Sequence, residues 1–223
     1  IIISVRKYQV KERKMVNKIN SDIDRGKLVY EHYKDEFKDY EPEAMAKNTG
    51  CIYNRNTGEI TVKLMGQELT VRYPSGDILG RDGSELKDSY SKILILRYLI
   101  HGGGVEPSLK YITYRDVEGG NVYYSNFYGR CILRLSRLLI NNPKGLKKAF
   151  EMLNAEKINM GDFAYKFQFL NNIYMIFIFW EGDDEFPPSS QILFNENVHF
   201  YFTAEDLAVV GEVAIGTLEK IKI

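Results

Sequence analysis

An α+β domain, with antiparallel sheets and helices packed on them, is the fold class this sequence predicts, and three observations lead there. Strand-like segments follow one another directly through turns rich in Gly, Asn and Pro, instead of alternating with helices. Helix-like segments carry their own start and stop signals and occupy separate stretches of the chain. No repeat, low-complexity run or interdomain linker divides the 223 residues.

Residues 1–40 read as an N-terminal helical segment and 41–223 as one α+β domain. Lys11-Glu12-Arg13-Lys14 and the charges of residues 30–37 fit a solvated face, while Met15, Ile19, Ile23, Leu28 and Phe37 are placed to dock. Pro42 suits the first position of a short helix that Gly50 ends. Residues 51–53 and 60–64 flank the turn-rich Asn54-Arg55-Asn56-Thr57-Gly58, and 69–73 alternates toward Pro74-Ser75-Gly76-Asp77; three antiparallel strands in a meander follow. Ser89 to His101 is a helix apolar on more than one stripe, hence deep in the core, and Gly102-Gly103-Gly104 predicts a left-handed cap. Residues 111–115 read as extended, and Gly119-Gly120 as a turn before Val122-Tyr123-Tyr124. Helices are expected from Tyr128 to Leu139 and from Pro143 to Leu153, separated because proline disfavours helical geometry in the residue before it. Residues 163–169 and 173–179 make a hairpin through Asn171-Asn172, and Thr203 caps a last helix toward Leu218.

Composition removes several classes of function. Lys plus Arg and Asp plus Glu number 30 each, so there is no net positive charge to release counterions from a nucleic acid, and none is expected as partner. The cysteines, Cys51 and Cys131, form no CxxC pair and alone cannot hold a four-cysteine zinc site or an iron–sulfur cluster. Two free thiols suit a reducing cytoplasm, which is the expected location. No apolar run approaches the roughly 20 residues that cross a bilayer, and the N-terminus lacks the apolar core of a secretory signal. Ile1 in place of an initiating Met implies residues before it.

The stretch richest in chemistry is Trp180-Glu181-Gly182-Asp183-Asp184-Glu185-Phe186-Pro187-Pro188, which follows the apolar run 173–179. Asp183, Asp184 and Glu185 can bind a polar ligand, or offer Mg²⁺ or Ca²⁺ oxygen ligands, Asp184 and Glu185 being the pair to test. His199, the histidine closest in sequence to this turn, completes a candidate metal set of Asp184, Glu185 and His199. The same residues serve ordinary ends: acids accept bonds from loop amides, and prolines fix the chain's exit. Tyr111, Tyr114, Tyr123, Tyr124 and Tyr128 gather near Arg115 and Arg130, and aromatic rings beside arginines stack on flat ligands or partner surfaces, which makes Tyr114 and Arg115 candidate ligand contacts. The alternative is a sheet face of tyrosines that pack their rings. Arg130, Arg134 and Arg137 have helical spacing that fits an anion strip or a solvated face. His101-Gly102-Gly103-Gly104 lacks the Gly-x-Ser-x-Gly elbow of an esterase, and no phosphate-binding glycine loop occurs.

Three stretches carry a family resemblance. Trp180 to Leu207, with its acidic turn, Pro187-Pro188, Ile192-Leu193-Phe194 and helix start at Thr203, is similar to domain of unknown function family 3786, found among anaerobic bacteria and archaea. Residues 112–116 with Gly119-Gly120, and Gly66 to Val71 with Pro74 to Ile78, resemble the same family. The resemblance implies an accessory or ligand- and partner-binding role in anaerobic metabolism, with a corrinoid or iron–sulfur protein as partner, and assigns no catalytic residue. The competing expectation is a divalent-metal-dependent enzyme that uses the acidic turn at 181–185. A homodimer through an exposed apolar patch is a third.

Overall fold

The computed structural model describes residues 25–221, and the readings made above for Lys11–Lys14, Met15, Ile19 and Ile23 lie outside them. Helix α1 covers residues 25–37. Its anchors are Tyr30 and Phe37, 5% and 0% exposed, whereas Leu28, expected to dock, is 73% exposed. At about 100° per residue Leu28 lies roughly 200° from Tyr30, on the solvent side. Helix α2, Pro42–Thr49, ends on Gly50 at φ 64°, the left-handed cap expected there.

The first sheet is the predicted meander, β1 (Ile52–Asn54), β2 (Glu59–Leu64) and β3 (Gln67–Arg72), extended by a two-residue β4 (Ile78–Leu79). Alternation puts Ile60, Val62, Leu69 and Val71 into the core. Met65 and Gly66 form the two-residue β2–β3 turn, both at positive φ, 46° and 77°. A methionine is unusual there; its side chain is buried, and its N–H donates to the Phe169 carbonyl at 2.9 Å, which fastens this turn to the second sheet.

Helix α3 runs Ser89–His101, capped by the Asp88 side chain, which accepts from the Ser91 amide at 2.9 Å. The glycines behind it serve a different purpose from the one expected. Gly102 has φ −56° and is no left-handed cap. A Cβ at Gly102 would stand 2.5 Å from Thr49 Cγ2, and one at Gly103 would stand 2.8 Å from the Phe200 carbonyl oxygen. Close approach, not backbone twist, excludes side chains at these two positions.

Next come β5 (Tyr111–Thr113), a 3₁₀ turn at Tyr114–Asp116, and α4 (Gly120–Phe127), where an extended tyrosine segment had been the alternative. Tertiary packing overrides strand propensity here: Phe127 is fully buried and stacks on Tyr114 with ring centroids 4.0 Å apart. A π-helical turn, Tyr128–Ile132, joins α4 to α5 (Leu133–Asn141). Asn142 breaks the path and caps α6 (Pro143–Met152) by accepting from the Gly145 amide.

The second sheet has the order β5-β9-β8-β7-β6, antiparallel throughout, with β6 (Glu156–Ile158), β7 (Phe163–Leu170), β8 (Ile173–Trp180) and β9 (Ser189–Asn195). Phe150 of α6 sits on its inner face, stacked on Tyr165 at 4.5 Å and edge-on to Phe177 and Phe179 at 6.0 Å. Helix α7 (Ala204–Lys220) closes this layer, its capping box made by Thr203 and Asp206 as expected. The two sheets share one buried cluster, which includes Tyr30 and Phe37 of α1.

Candidate functional site

The β8–β9 loop stands on a rigid base. Trp180 pairs with Ser189 in the last rung of the β8–β9 ladder, so residues 181–188 close upon themselves. Gly182 has φ 80°, and a Cβ there would meet Pro188 N at 2.6 Å and the Phe186 carbonyl oxygen at 2.7 Å. Asp183 fixes the rest. Its N–H donates to the Phe186 carbonyl at 2.9 Å, and its Oδ1 accepts the amides of Phe186 and Glu185 at 2.8 and 2.9 Å. These two amides hold the Asp183 carboxyl below the usual aspartate value. Asp162, from the β6–β7 connection, accepts the Glu181 amide at 2.7 Å, and the Glu181 carboxylate pairs with Lys147 of α6 at 2.8 Å.

Two of the loop's four acids are therefore engaged locally. Asp184 and Glu185 are exposed and have no ion-pair partner among the described residues. No group of three or more His, Cys, Asp or Glu side chains among the described residues comes together as a metal ion requires. His199 does not join Asp184 and Glu185. It lies in a 3₁₀ turn, Glu196–Phe200, rather than among strand aromatics. The seven residues of β9 separate it from the acidic loop, about 20 Å at about 3.3 Å per residue.

What the sequence reading passed over is the aromatic wall. Trp180, 40% exposed, and Phe186, 67% exposed, line an open cleft of about 650 Å³ with Pro187, Asp162, Asp183 and Ser189. The signal was present: alternation from Tyr174 puts Ile176, Ile178 and Trp180 on one face, so a tryptophan emerges at the strand's tip.

The tyrosine–arginine cluster divides. Tyr114 is 1% exposed, and its hydroxyl donates to the Ala204 carbonyl at 2.7 Å, so it faces the core. Arg115 is exposed, its guanidinium 3.6 Å from the centre of the Tyr124 ring. Arg130 and Arg134 each grip a carboxylate of α7, Glu212 and Glu219, through two nitrogens. Cys51 and Cys131 are thiols raised by burial, to about 11 and about 12. Two further openings, about 520 and 510 Å³, share Gly66, Glu68 and Arg81 and are lined by charges of both signs; the first lies against the first sheet alone, the second between the two sheets. No helix among the described residues is long and apolar enough to cross a membrane.

A protein-family model, described as a domain of unknown function (DUF3786), matches residues 41–217, a span that holds the acidic loop, the cleft and the tyrosine–arginine cluster. No curated protein and no solved structure matches the chain.

Proposed function

The chain belongs to the DUF3786 family, and from that membership and the loop geometry we propose that it is an accessory binding module whose contact site is the cleft at Trp180. The observation that carries this reading is a hydrogen-bonded loop that leaves two large aromatic side chains in water beside carboxylates with no ion-pair partner among the described residues. Exposed apolar surface rimmed by polar groups is a mark of interaction sites and ligand-binding grooves. The partner class implied by the family resemblance is a corrinoid or iron–sulfur protein. A metal-dependent reaction at this loop has less support: Asp183 and Glu181 already have partners, and β9 holds His199 away from Asp184 and Glu185.

The chain's single tryptophan is the reporter, since it lines the cleft. Emission and thermal midpoint are followed with a corrinoid, with Mg²⁺, Ca²⁺, Mn²⁺ and Zn²⁺, and with charged peptides. A ligand at a hundred times its Kd stabilises the native state by about 2.7 kcal/mol. That is a rise of about 5 to 11 °C for a chain of this length. A metal-induced shift lost in Asp184→Asn or Glu185→Gln would favour the metal reading. No response of Trp180 or of the midpoint to any probe would overturn the binding role.

A further inference from the structure

We propose that the cleft beside Trp180 receives a lysine or arginine side chain from a basic segment of a partner protein, an assignment that rests on the binding role above. The fold itself shows how this chain holds cations. Lys34 pairs with Asp77 at 2.8 Å and lies over the Tyr30 ring at 5.5 Å. Lys92 meets Glu85 and lies over the same ring at 4.7 Å. Arg97 pairs with Asp206 at 2.8 Å over Tyr33, and Lys147 pairs with Glu181 at 2.8 Å over Phe163. Four cations are each held by a carboxylate together with one of three aromatic rings, Lys34 having Glu31 as a second carboxylate at 3.9 Å.

The cleft repeats that combination of groups, with no cation among the described residues that line it. Trp180 and Phe186 supply rings, Asp162 Oδ1 and Asp183 Oδ2 are the carboxylate oxygens that the loop amides do not use, and no Lys or Arg among the described residues lines it. Asp184 and Glu185 add charge of the same sign on the rim, and Lys147, which reaches the loop, is already held by Glu181. Negative charge over low-dielectric walls draws cations in. A hydrated divalent ion would gain nothing from the rings. A lysine or arginine lays its alkyl stem on them and keeps its head at the carboxylates. The cleft's 650 Å³ exceeds one side chain, and the rim acids beyond it suit neighbouring cations, so a basic segment fits better than a free amine.

The test is a titration of Trp180 emission with a short oligolysine peptide, against oligoglutamate of equal length and a corrinoid. Oligolysine is expected to give a saturable change that weakens as salt shortens the screening length from about 10 Å at 0.1 M to about 3 Å at 1 M. Phe186→Ala removes one ring and is expected to weaken binding about twofold to fivefold. The double change Asp184→Asn, Glu185→Gln is expected to weaken it and flatten the salt dependence. All three residues are exposed, so an unchanged circular dichroism spectrum and thermal midpoint confirm that the variants fold. No saturable change, an equal response to oligoglutamate, or oligolysine binding that both variants leave intact would overturn the assignment. A corrinoid response without an oligolysine response would also overturn it while leaving the binding role standing; silence with every probe would remove both.

Discussion

Gly211 and Cys131 should behave as one unit. The π-helical turn aims Cys131 at α7, where its Sγ lies 3.4 Å from the Ala208 carbonyl oxygen. An alanine Cβ at Gly211 would stand 2.8 Å from that sulfur, closer than real Cβ atoms approach, but 3.4 Å from Phe127 Cε2 and 3.5 Å from Cys131 Cβ, which are ordinary contacts. The clash is thus with one atom. Gly211→Ala gains about 1 kcal/mol of helix propensity and loses roughly 1–3 kcal/mol to overpacking. A net loss of about 0–2 kcal/mol follows, a fall of at most about 8 °C in Tm. Cys131→Ala alone removes one buried atom and costs roughly 1 kcal/mol. In the double variant the new methyl takes the place of the sulfur while the helix gain is kept, so stability should return to within about 1 kcal/mol of the parent. The coupling, about 2 kcal/mol, is read from urea midpoints of the four proteins. Additivity within about 0.5 kcal/mol, or a Gly211→Ala variant more stable than the parent, would refute the argument that close helix approach dictates glycine here.

Asp206→Asn should lower stability by about 2–3 kcal/mol, since it keeps an acceptor at the α7 cap but leaves the Arg97 guanidinium, with a side chain 20% exposed, without its charge partner; a loss below about 0.5 kcal/mol would make this pair equivalent to a surface one. Acid should destabilise the fold. The Lys34 ammonium holds Asp77 low, and the loop amides hold Asp183 low. A depressed carboxyl contributes stability above its unfolded value near 3.9, lost as pH falls through the lower folded values, so the urea midpoint should decline below about pH 4. Alkali should act in the opposite sense. Burial favours the neutral thiols, a contribution present below their unfolded value near 8.5 and lost as pH rises toward about 11 for Cys51 and about 12 for Cys131. Cys131→Ala should flatten that alkaline slope, and a slope unchanged in this variant would place its cause elsewhere. Phe150→Ala should cost about 3–5 kcal/mol, because four aromatic neighbours on β7 and β8 lose one shared partner; a smaller loss in chemical denaturation would mean that the layer collapses into the gap.

The elements that sequence captured are those in which local chemistry and tertiary packing agree. Thr203 caps its helix as its type suggests, and the 173–179 apolar run is a central strand with neighbours on both sides. Disagreement produced the errors. Val122, Tyr123 and Tyr124 favour strand by type, yet Phe127 is drawn onto Tyr114 and the segment coils into α4. Gly102 and Gly103 carry no mark that separates a left-handed cap from contact with Thr49 and Phe200, because those neighbours are remote in sequence. Trp180 was visible as a residue but not as a wall, since its exposure depends on where Phe186 and Pro187 return. His199 seemed close to the acidic turn because sequence distance ignores the length of β9.

The cleft's chemistry depends on the loop being rigid. Folding Phe186 inward would remove a large apolar surface from water, and the structure instead leaves it 67% exposed. Its position follows from the frame: Gly182 admits no side chain against Pro188, Asp183 ties the amides of Glu185 and Phe186, and the Trp180–Ser189 pair closes the base. A preformed site loses little conformational entropy when a ligand arrives, so modest contacts suffice for binding. Asp183→Ala separates frame from contact. It removes both amide bonds and one of the carboxylates lining the cleft while deleting no ring, and Asp183→Asn retains an acceptor for the amides. If the frame sets affinity, the alanine variant binds oligolysine far more weakly than the asparagine variant, and its Trp180 emission moves toward that of a fully hydrated indole. Equal losses in the two variants would assign the effect to the charge of Asp183 and leave the loop's rigidity without a functional consequence.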